Sequence, residues 1–246
     1  MASFHLHDIQ RKTGKFIRKF GTHDDVDSGV GINEAIWSYA DVAGDYVFPS
    51  DSGETMYISS NSSLDTMPIR IQGLDEDFKE KEQTVTMQGQ TKITLDGKWS
   101  RINRVFNDDT NDIAGNIFVY TNGANIGGEP DDPSTVKAII ENGHNQTMQA
   151  VYTVPINNLF HLSSYHLSCD AKVSNVTANL TLKLVVRLKD SVFRTQEIIA
   201  VSNSSPSVIK LDMPLPIPGG SDVMFQVVSS TNNNMHVHAV FEGMLL

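Results

Sequence analysis

The sequence predicts an all-β fold: two antiparallel β-sandwich domains of jelly-roll or immunoglobulin-like type, preceded by an extended N-terminal arm. From about Met56 onward the chain is a series of short runs in which apolar and polar residues alternate, as in residues 180–186 and 236–241. Such alternation places the apolar side chains on one face of a strand. Clusters of Asn, Asp, Gly and Ser separate the runs, and no comparably long stretch has the helical period.

Length and composition agree with this fold class. The 246 residues suffice for one large domain or two ordinary ones. Hydrophobic residues make up 39% of the chain, which suits thin sandwiches with small cores. The single cysteine, Cys169, lies in an apolar run, so we expect a buried and unreactive thiol. One cysteine and no secretory leader favour folding in a reducing cytoplasm.

The charge is unevenly distributed along the chain. The net charge is −10, which should repel nucleic acid and anionic membranes, so neither is an expected partner. Residues 1–22 nevertheless carry five basic side chains against Asp8 alone, a net +4, and the remainder carries −14. A basic arm on an acidic body can bind an acidic partner surface, or it can be a solvated tail. The residues predicted to anchor the arm to a partner are Arg11, Lys12, Lys15, Phe16, Ile17, Arg18, Lys19 and Phe20.

Breaks in the pattern predict three segments. Residues 1–40 form the arm, which could dock on its own domain, on a sister subunit or on another protein. Residues 41–143 form the first β-sandwich, and residues 144–246 form the second, which is jelly-roll-like because its strands are evenly spaced. The Gly-, Pro- and acid-rich segment 127–134 is the best candidate for a linker or long loop.

No catalytic motif emerges, so we expect a protein that is not an enzyme and needs no cofactor or metal. His5 and His7, and likewise His236 and His238, have the spacing that puts two imidazoles on one face of a strand. No third ligand is evident beside either pair. A metalloenzyme of β-sandwich or cupin type that uses His236 and His238 is a further alternative, and it would require a ligand from a distant or symmetry-related segment.

Aromatic residues allow a second interpretation. Trp37, Tyr39, Tyr46 and Phe48 cluster before the first domain, and Trp99 begins a predicted strand. Aromatic rings on a β surface can stack on sugars, but they are more often core and interface anchors. If they stack on sugars, an exposed aromatic row is expected, and Trp99→Ala should abolish glycan binding.

Several short motifs, taken together, resemble structural proteins of tailed bacteriophages. Such proteins share an arm with an Ile-Trp or similar pair, a Phe-Pro, an Ile-x-Gly-Leu-Asp hairpin and a Thr-Val-Thr strand. The corresponding segments here are Ile36-Trp37, Phe48-Pro49, Ile71-Gln72-Gly73-Leu74-Asp75 and Thr84-Val85-Thr86. The resemblance extends from about Ile36 to the end of the chain.

The resemblance implies a non-enzymatic virion component that is assembled in the bacterial cytoplasm. It would dock on the capsid, neck or tail through its basic N-terminal arm, as a capsid decoration protein or a tail-fibre adaptor. Partners would be other virion proteins and further copies of the chain, in a trimer or ring. The alternative is a carbohydrate- or receptor-binding β-sandwich module of a tail fibre.

Overall fold

The computed structural model describes residues 14–121, 123–171, 179–203 and 206–246, and it confirms the predicted all-β fold. No helix in this part of the chain is long and apolar enough to cross a membrane. The elements are β1 (Lys15–Val26), β2 (Gly29–Ala35), α1 (Ala40–Ala43), β3 (Glu54–Ser60), β4 (Pro68–Leu74), β5 (Glu80–Thr86), β6 (Ile93–Trp99), β7 (Arg101–Asn107), β8 (Ile117–Tyr120), β9 (Asn125–Ile126), β10 (Glu129–Pro130), a 3₁₀ turn (Pro133–Thr135), β11 (Val136–Ile140), β12 (Val151–Thr153), β13 (Leu159–Ala171), β14 (Asn179–Arg187), β15 (Phe193–Ser202), β16 (Ser207–Pro218), β17 (Asp222–Ser230) and β18 (Met235–Leu245).

The chain divides into two compact units, and one of them is discontinuous in sequence. Unit 1 comprises the described residues within Met1–Ile36 and Ala150–Leu246, and unit 2 comprises Trp37–Gln149. Unit 2 is therefore inserted into unit 1. The sequence-based boundaries at 40/41 and 143/144 lie four and six residues from the observed ones at 36/37 and 149/150. They also assign residues 14–36 to an arm, whereas these residues belong to unit 1.

Unit 1 has the strand order of a jelly roll. Sheet 1 has the order β1-β18-β13-β16, and sheet 2 has the order β12-β17-β14-β15, with β2 also paired to β17. β2 and β12 both pair with β17 and together occupy one strand position. Numbered along the chain, β1 is position 1, β2 with β12 is position 2, and β13 to β18 are positions 3 to 8. Sheet 1 then contains positions 1, 8, 3 and 6, and sheet 2 contains positions 2, 7, 4 and 5. This is the antiparallel double-sheet arrangement of a jelly roll.

The split strand shows how unit 2 is accommodated. β12 pairs with the first residues of β17, and β2 pairs with the later ones. Between them Ile36 donates a backbone hydrogen bond to Phe225, Phe225 donates to Ala150, and Ala150 donates to Ile36, at 3.1, 3.4 and 2.9 Å. The chain leaves and re-enters unit 1 at this one point, so an insertion here leaves the pairing of β17 intact.

The interior of unit 1 is filled by side chains from both sheets. Buried rings of Tyr165, Phe225, Phe241 and Phe160 follow one another, with centroids 5.4, 6.2 and 6.3 Å apart. Cys169 is buried in the same cluster, as expected. Burial, with a smaller contribution from the charge of Asp170, raises the pKa of its thiol to about 11.

Unit 2 is a smaller sandwich. Its sheets have the orders β11-β8-β3-β6 and β5-β4-β7, and side chains from both form one hydrophobic cluster. The segment 127–134, which we expected to be a linker or long loop, instead includes part of a hairpin of β9 and β10 inside this unit. Gly128 explains the misassignment, because it lies at φ +88° and a Cβ there would approach the Ser60 carbonyl oxygen to 1.8 Å. The glycine serves close packing rather than a flexible connection.

A buried arginine organises the start of β7 in unit 2. The guanidinium of Arg101 donates to Asp51 Oδ1 at 2.6 Å and to the Pro49 carbonyl at 3.1 Å. Its central carbon lies 5.1 Å from the ring centre of Phe48 and 4.8 Å from that of Phe78. The long loop before β3 is thereby attached to the sheet by one side chain.

Candidate assembly surface

The residues predicted to anchor the chain form an edge strand of unit 1. Residues 15–20 belong to β1, which pairs with β18 from Lys15 opposite Leu245 to Phe20 opposite Val240. Of the alternatives considered for this segment, docking on its own domain is the one observed. Arg11 and Lys12 lie outside the described residues, as do His5 and His7.

The strand divides these side chains between two environments. Ile17 packs against the core and Lys19 is 7% exposed, so both are used within unit 1. Phe16 and Arg18 are exposed and Phe20 is half-buried on the opposite side. The interpretation of this segment as an arm separate from the domains is therefore wrong from Lys15 onward, because the strand supplies ladder hydrogen bonds and core contacts.

We call the side of sheet 1 that points away from the core the outer face. Alternation on β18 defines it, because Val237 and Phe241 are fully buried whereas His238 is exposed. Strand register then assigns the remaining members. The outer face comprises Phe16, Arg18, Phe20 and Thr22 of β1, His236, His238, Val240, Glu242 and Met244 of β18, His161, Ser164, His166, Ser168 and Asp170 of β13, and Val208, Lys210 and Pro216 of β16. Of these, Thr22 and Met244 are buried.

One row of the outer face is largely apolar. Phe20, Val240, His166 and Val208 are paired in register across all four strands. Val208 is 57% exposed at the edge of the sheet, and His166 is also exposed. The next row pairs Arg18, Glu242, Ser164 and Lys210. An apolar row thus lies directly beside a charged one.

The charged groups on or beside this face are paired across strands. Arg18 Nε lies 3.2 Å from Glu242 Oε1, and His236 Nδ1 lies 3.4 Å from Asp24 Oδ1. Burial acts to raise the pKa of Asp24, but a 2.6 Å hydrogen bond from Thr22 and the charge of His236 outweigh it. The pKa of this carboxyl is therefore lower than its usual value.

Histidine is concentrated on the outer face, without a metal cluster. His236 and His238 do lie on one face of β18, as their spacing predicts, together with His166 and His161 of β13. Within the described ranges, however, no group of three or more His, Cys, Asp or Glu side chains could hold a metal ion. The geometry gives the metalloenzyme alternative no support in this part of the chain.

The aromatic residues considered for sugar stacking are mostly in the interior. Trp99 is 0% exposed, and Trp37, Tyr39 and Tyr46 are buried too. Trp37 contacts Tyr46 edge-to-face, with ring centres 5.2 Å apart, and Tyr46 contacts Phe48 at 4.9 Å. The prediction that Trp99 could stack on a glycan is wrong, because its ring is covered and Lys81 Nζ lies 4.4 Å from the ring centre.

The two units differ in charge. Unit 2 contains eighteen acidic and eight basic side chains, which gives the whole net charge of −10. The sequence ranges 1–36 and 150–246, counted with the residues that the structure does not describe, contain eleven of each, so these charges cancel. The sequence contrast between a basic arm and an acidic body thus becomes a contrast between an electrically balanced jelly roll and an acidic inserted sandwich.

Comparison with known proteins gives little further information. No protein-family model matches the chain, and no curated protein matches it. Among solved structures, a chain of the infectious bursal disease virus Gt strain is 9% identical with a TM-score of 0.25, over 95% of this chain and 72% of that one. A mutant VP2 protein of the same virus, from T=1 particles, is 11% identical with a TM-score of 0.13, over 96% and 78%. The chain thus has a weak similarity to a virus capsid protein, at a level that carries no argument.

Proposed function

We propose that this chain is a non-enzymatic structural protein of a virus particle, of the tailed-phage type that its motifs resemble. The observation that carries the proposal is the jelly roll of unit 1, with a second sandwich inserted into one of its strands. Jelly rolls recur in viral capsid and lectin domains and in cupins. Because one fold hosts many functions, the side chains decide between these classes.

Two features of the side chains favour a structural role. The described interior of unit 1 is filled by hydrophobic side chains from both sheets, among them the packed rings of Phe225 and Phe241. The candidate sugar-stacking rings are covered by neighbouring side chains, whereas a glycan needs an exposed ring. What the unit does present is sheet faces and long edge strands, which are the elements through which β proteins associate.

Attachment to other particle proteins is proposed to use the segment that precedes β1. Arg11 and Lys12 belong to this segment. Their charge is opposite to that of unit 2 and suits an acidic site on a capsid, neck or tail protein. Copies of the chain are proposed to assemble into a closed oligomer on the particle.

Fractionation of virus particles tests this function. Particles of the encoding phage are banded by density and probed with an antibody raised against the purified chain. The chain should remain with the particles after washing in high salt, in a fixed ratio to the major capsid protein. Detection only in the soluble fraction of the lysate would refute the proposal.

Two variants then test the attachment segment. Deletion of residues 1–13 and the substitution pair Arg11→Glu with Lys12→Glu both retain β1, so both should fold with an unchanged circular dichroism spectrum. Each should be absent from particles when it replaces the wild-type chain. Normal incorporation of both variants would contradict attachment through this segment while leaving the structural role in place.

A further inference from the structure

We propose that two copies of this chain associate through the outer face of sheet 1, face to face about a two-fold axis. The inference deepens the proposed function and rests on it for its biological meaning. Its occupant is a second copy of the same face. Four observations support it: the charge difference between the units, the apolar row, the mixture of charges on the face, and the area of the face.

The charge difference identifies the unit through which copies can approach. Unit 2 carries the whole net charge of −10, so contact between two copies of unit 2 is opposed by repulsion. Unit 1 has balanced charges and meets no such barrier. Self-association is therefore favoured through surfaces of unit 1.

The apolar row identifies a face of unit 1 that gains from being covered. Phe20, Val240 and Val208 lie in one row across sheet 1, and only His166 interrupts them. Phe16, which is 51% exposed, adds a further ring on the same face. Removing such side chains from water is the main favourable contribution to association.

The charges on the face suit a copy of itself. Basic Arg18 and Lys210 lie in one row with Glu242, and acidic Asp170 lies on β13 near the opposite end. A two-fold axis that runs parallel to the face and perpendicular to the strands, midway between these two rows, reverses the order of the rows in the second copy. The basic row of each copy then approaches Asp170 of the other. Contact between identical patches about such an axis is the commonest arrangement in homo-oligomers.

The size of the face is adequate for a stable contact. Four strands about 4.8 Å apart give a width of roughly 19 Å, and about eleven residues at about 3.3 Å per residue give a length of roughly 36 Å. The face then covers roughly 700 Å², close to the roughly 800 Å² that each partner contributes to a standard interface.

The solution mass of the full chain, measured by light scattering over a concentration series, is the first test. The wild-type chain should form a dimer, or a larger assembly built from dimers. Val208→Glu places one carboxylate in the apolar row of each copy and should raise the dissociation constant at least tenfold. Ile198→Glu is the matched control, because Ile198 is 66% exposed on β15 of sheet 2, and this variant should associate like the wild type.

Spin labelling gives a second measurement that does not depend on a disruptive variant. Cys169 is buried, so Val208→Cys introduces a thiol that can be labelled selectively. Labels at this position should be separated by less than the roughly 36 Å length of the face. Labels at Ile198→Cys, which lies on the other sheet, should be farther apart.

Specific results would overturn the inference. These are a wild-type monomer at all concentrations, an oligomer that Val208→Glu leaves intact, or labels closer at position 198 than at 208. A wild-type monomer that still enters virus particles would assign the face to another particle protein and leave the proposed function standing. Absence of the chain from particles, with dimers in solution, would refute the function and not the interface.

Discussion

The carboxylate of Asp222 should be essential to the discontinuous jelly roll. Asp222 of β17 lies in one row of sheet 2 with its two cross-strand neighbours, Thr153 of β12 and Arg187 of β14. Asp222 is 1% exposed, and it accepts hydrogen bonds from Thr153 Oγ1 at 2.5 Å and from Arg187 Nε at 2.8 Å. β12 has only three residues and is where the chain re-enters sheet 2 after unit 2. The carboxylate therefore connects the returning strand to two others.

The structure gives a magnitude for the loss in Asp222→Ala. Removing one partner of a buried ion pair costs about 3–5 kcal/mol, because the remaining charge loses its counter-ion. The side chain of Arg187 is 25% exposed and can partly regain water, so we expect the lower end, about 3 kcal/mol. For a unit of this size that corresponds to a fall in melting temperature of roughly 10 °C.

Tryptophan positions make the assay selective. The chain has two tryptophans, Trp37 and Trp99, and both are buried in unit 2. In a urea titration, tryptophan fluorescence therefore reports unit 2, whereas far-ultraviolet circular dichroism reports both units. Asp222→Ala should shift the circular dichroism transition to lower urea and leave the fluorescence transition in place. Asp212→Ala, at an exposed position of β16, is the control.

A double-mutant cycle tests the coupling directly. Asp222→Ala and Arg187→Ala combined should cost clearly less than the sum of the two single changes, because the second removal no longer breaks a pair. A loss below about 1 kcal/mol for Asp222→Ala, or additive losses in the cycle, would refute this reasoning.

Three further predictions concern single side chains. Arg101→Ala should lower the free energy of unfolding of unit 2 by about 3 kcal/mol, because it removes the guanidinium that contacts the rings of Phe48 and Phe78. An unchanged fluorescence transition in urea would contradict this expectation. Burial raises the pKa of the Cys169 thiol to about 11, so little thiolate forms below that pH. A thiol reagent at about pH 8 should therefore modify Cys169 only when the chain is unfolded in urea. Rapid modification of the native chain would contradict the burial of this thiol. Gly128→Ala should lower the free energy of unfolding of unit 2 by about 2 kcal/mol or more, because the added Cβ collides with the Ser60 carbonyl oxygen. Gly143→Ala is the control, because Gly143 lies at φ +93° with open space around it. On the same fluorescence measurement this control should cost about 1 kcal/mol.

Local pattern predicted the fold class but not the role of every segment. The alternation in residues 180–186 and 236–241 predicted β14 and β18, because it records which face of each strand is buried. In β1 the signal is hidden, since the inward positions include Lys19 and Gly21 and the outward ones include Phe16 and Phe20. An inward-pointing lysine breaks the alternation by which a strand is recognised in sequence. Such a charged residue is also one of the features that protect edge strands from pairing with other chains.

The outer face shows the same limit for the candidate site. Sequence spacing placed His236 and His238 together, because residues two apart on a strand share a face. It could not place His166 or Val208 beside Val240, since those neighbours come from β13 and β16. Cross-strand neighbours depend on register, which is set by the whole sheet rather than by any one segment.

By itself, the sequence determined that this chain forms strands, that Cys169 is buried and that acidic charge dominates beyond residue 22. These properties depend on the types of side chain present and on the alternation of apolar and polar residues along each strand. Only the tertiary structure decided that β1 belongs to the jelly roll, that unit 2 is inserted between Ile36 and Ala150, and that charge is balanced in one unit and not in the other. The physical reason is that pairing Lys15 with Leu245 joins the two ends of the described chain, and local patterning carries no information about a partner so distant in sequence.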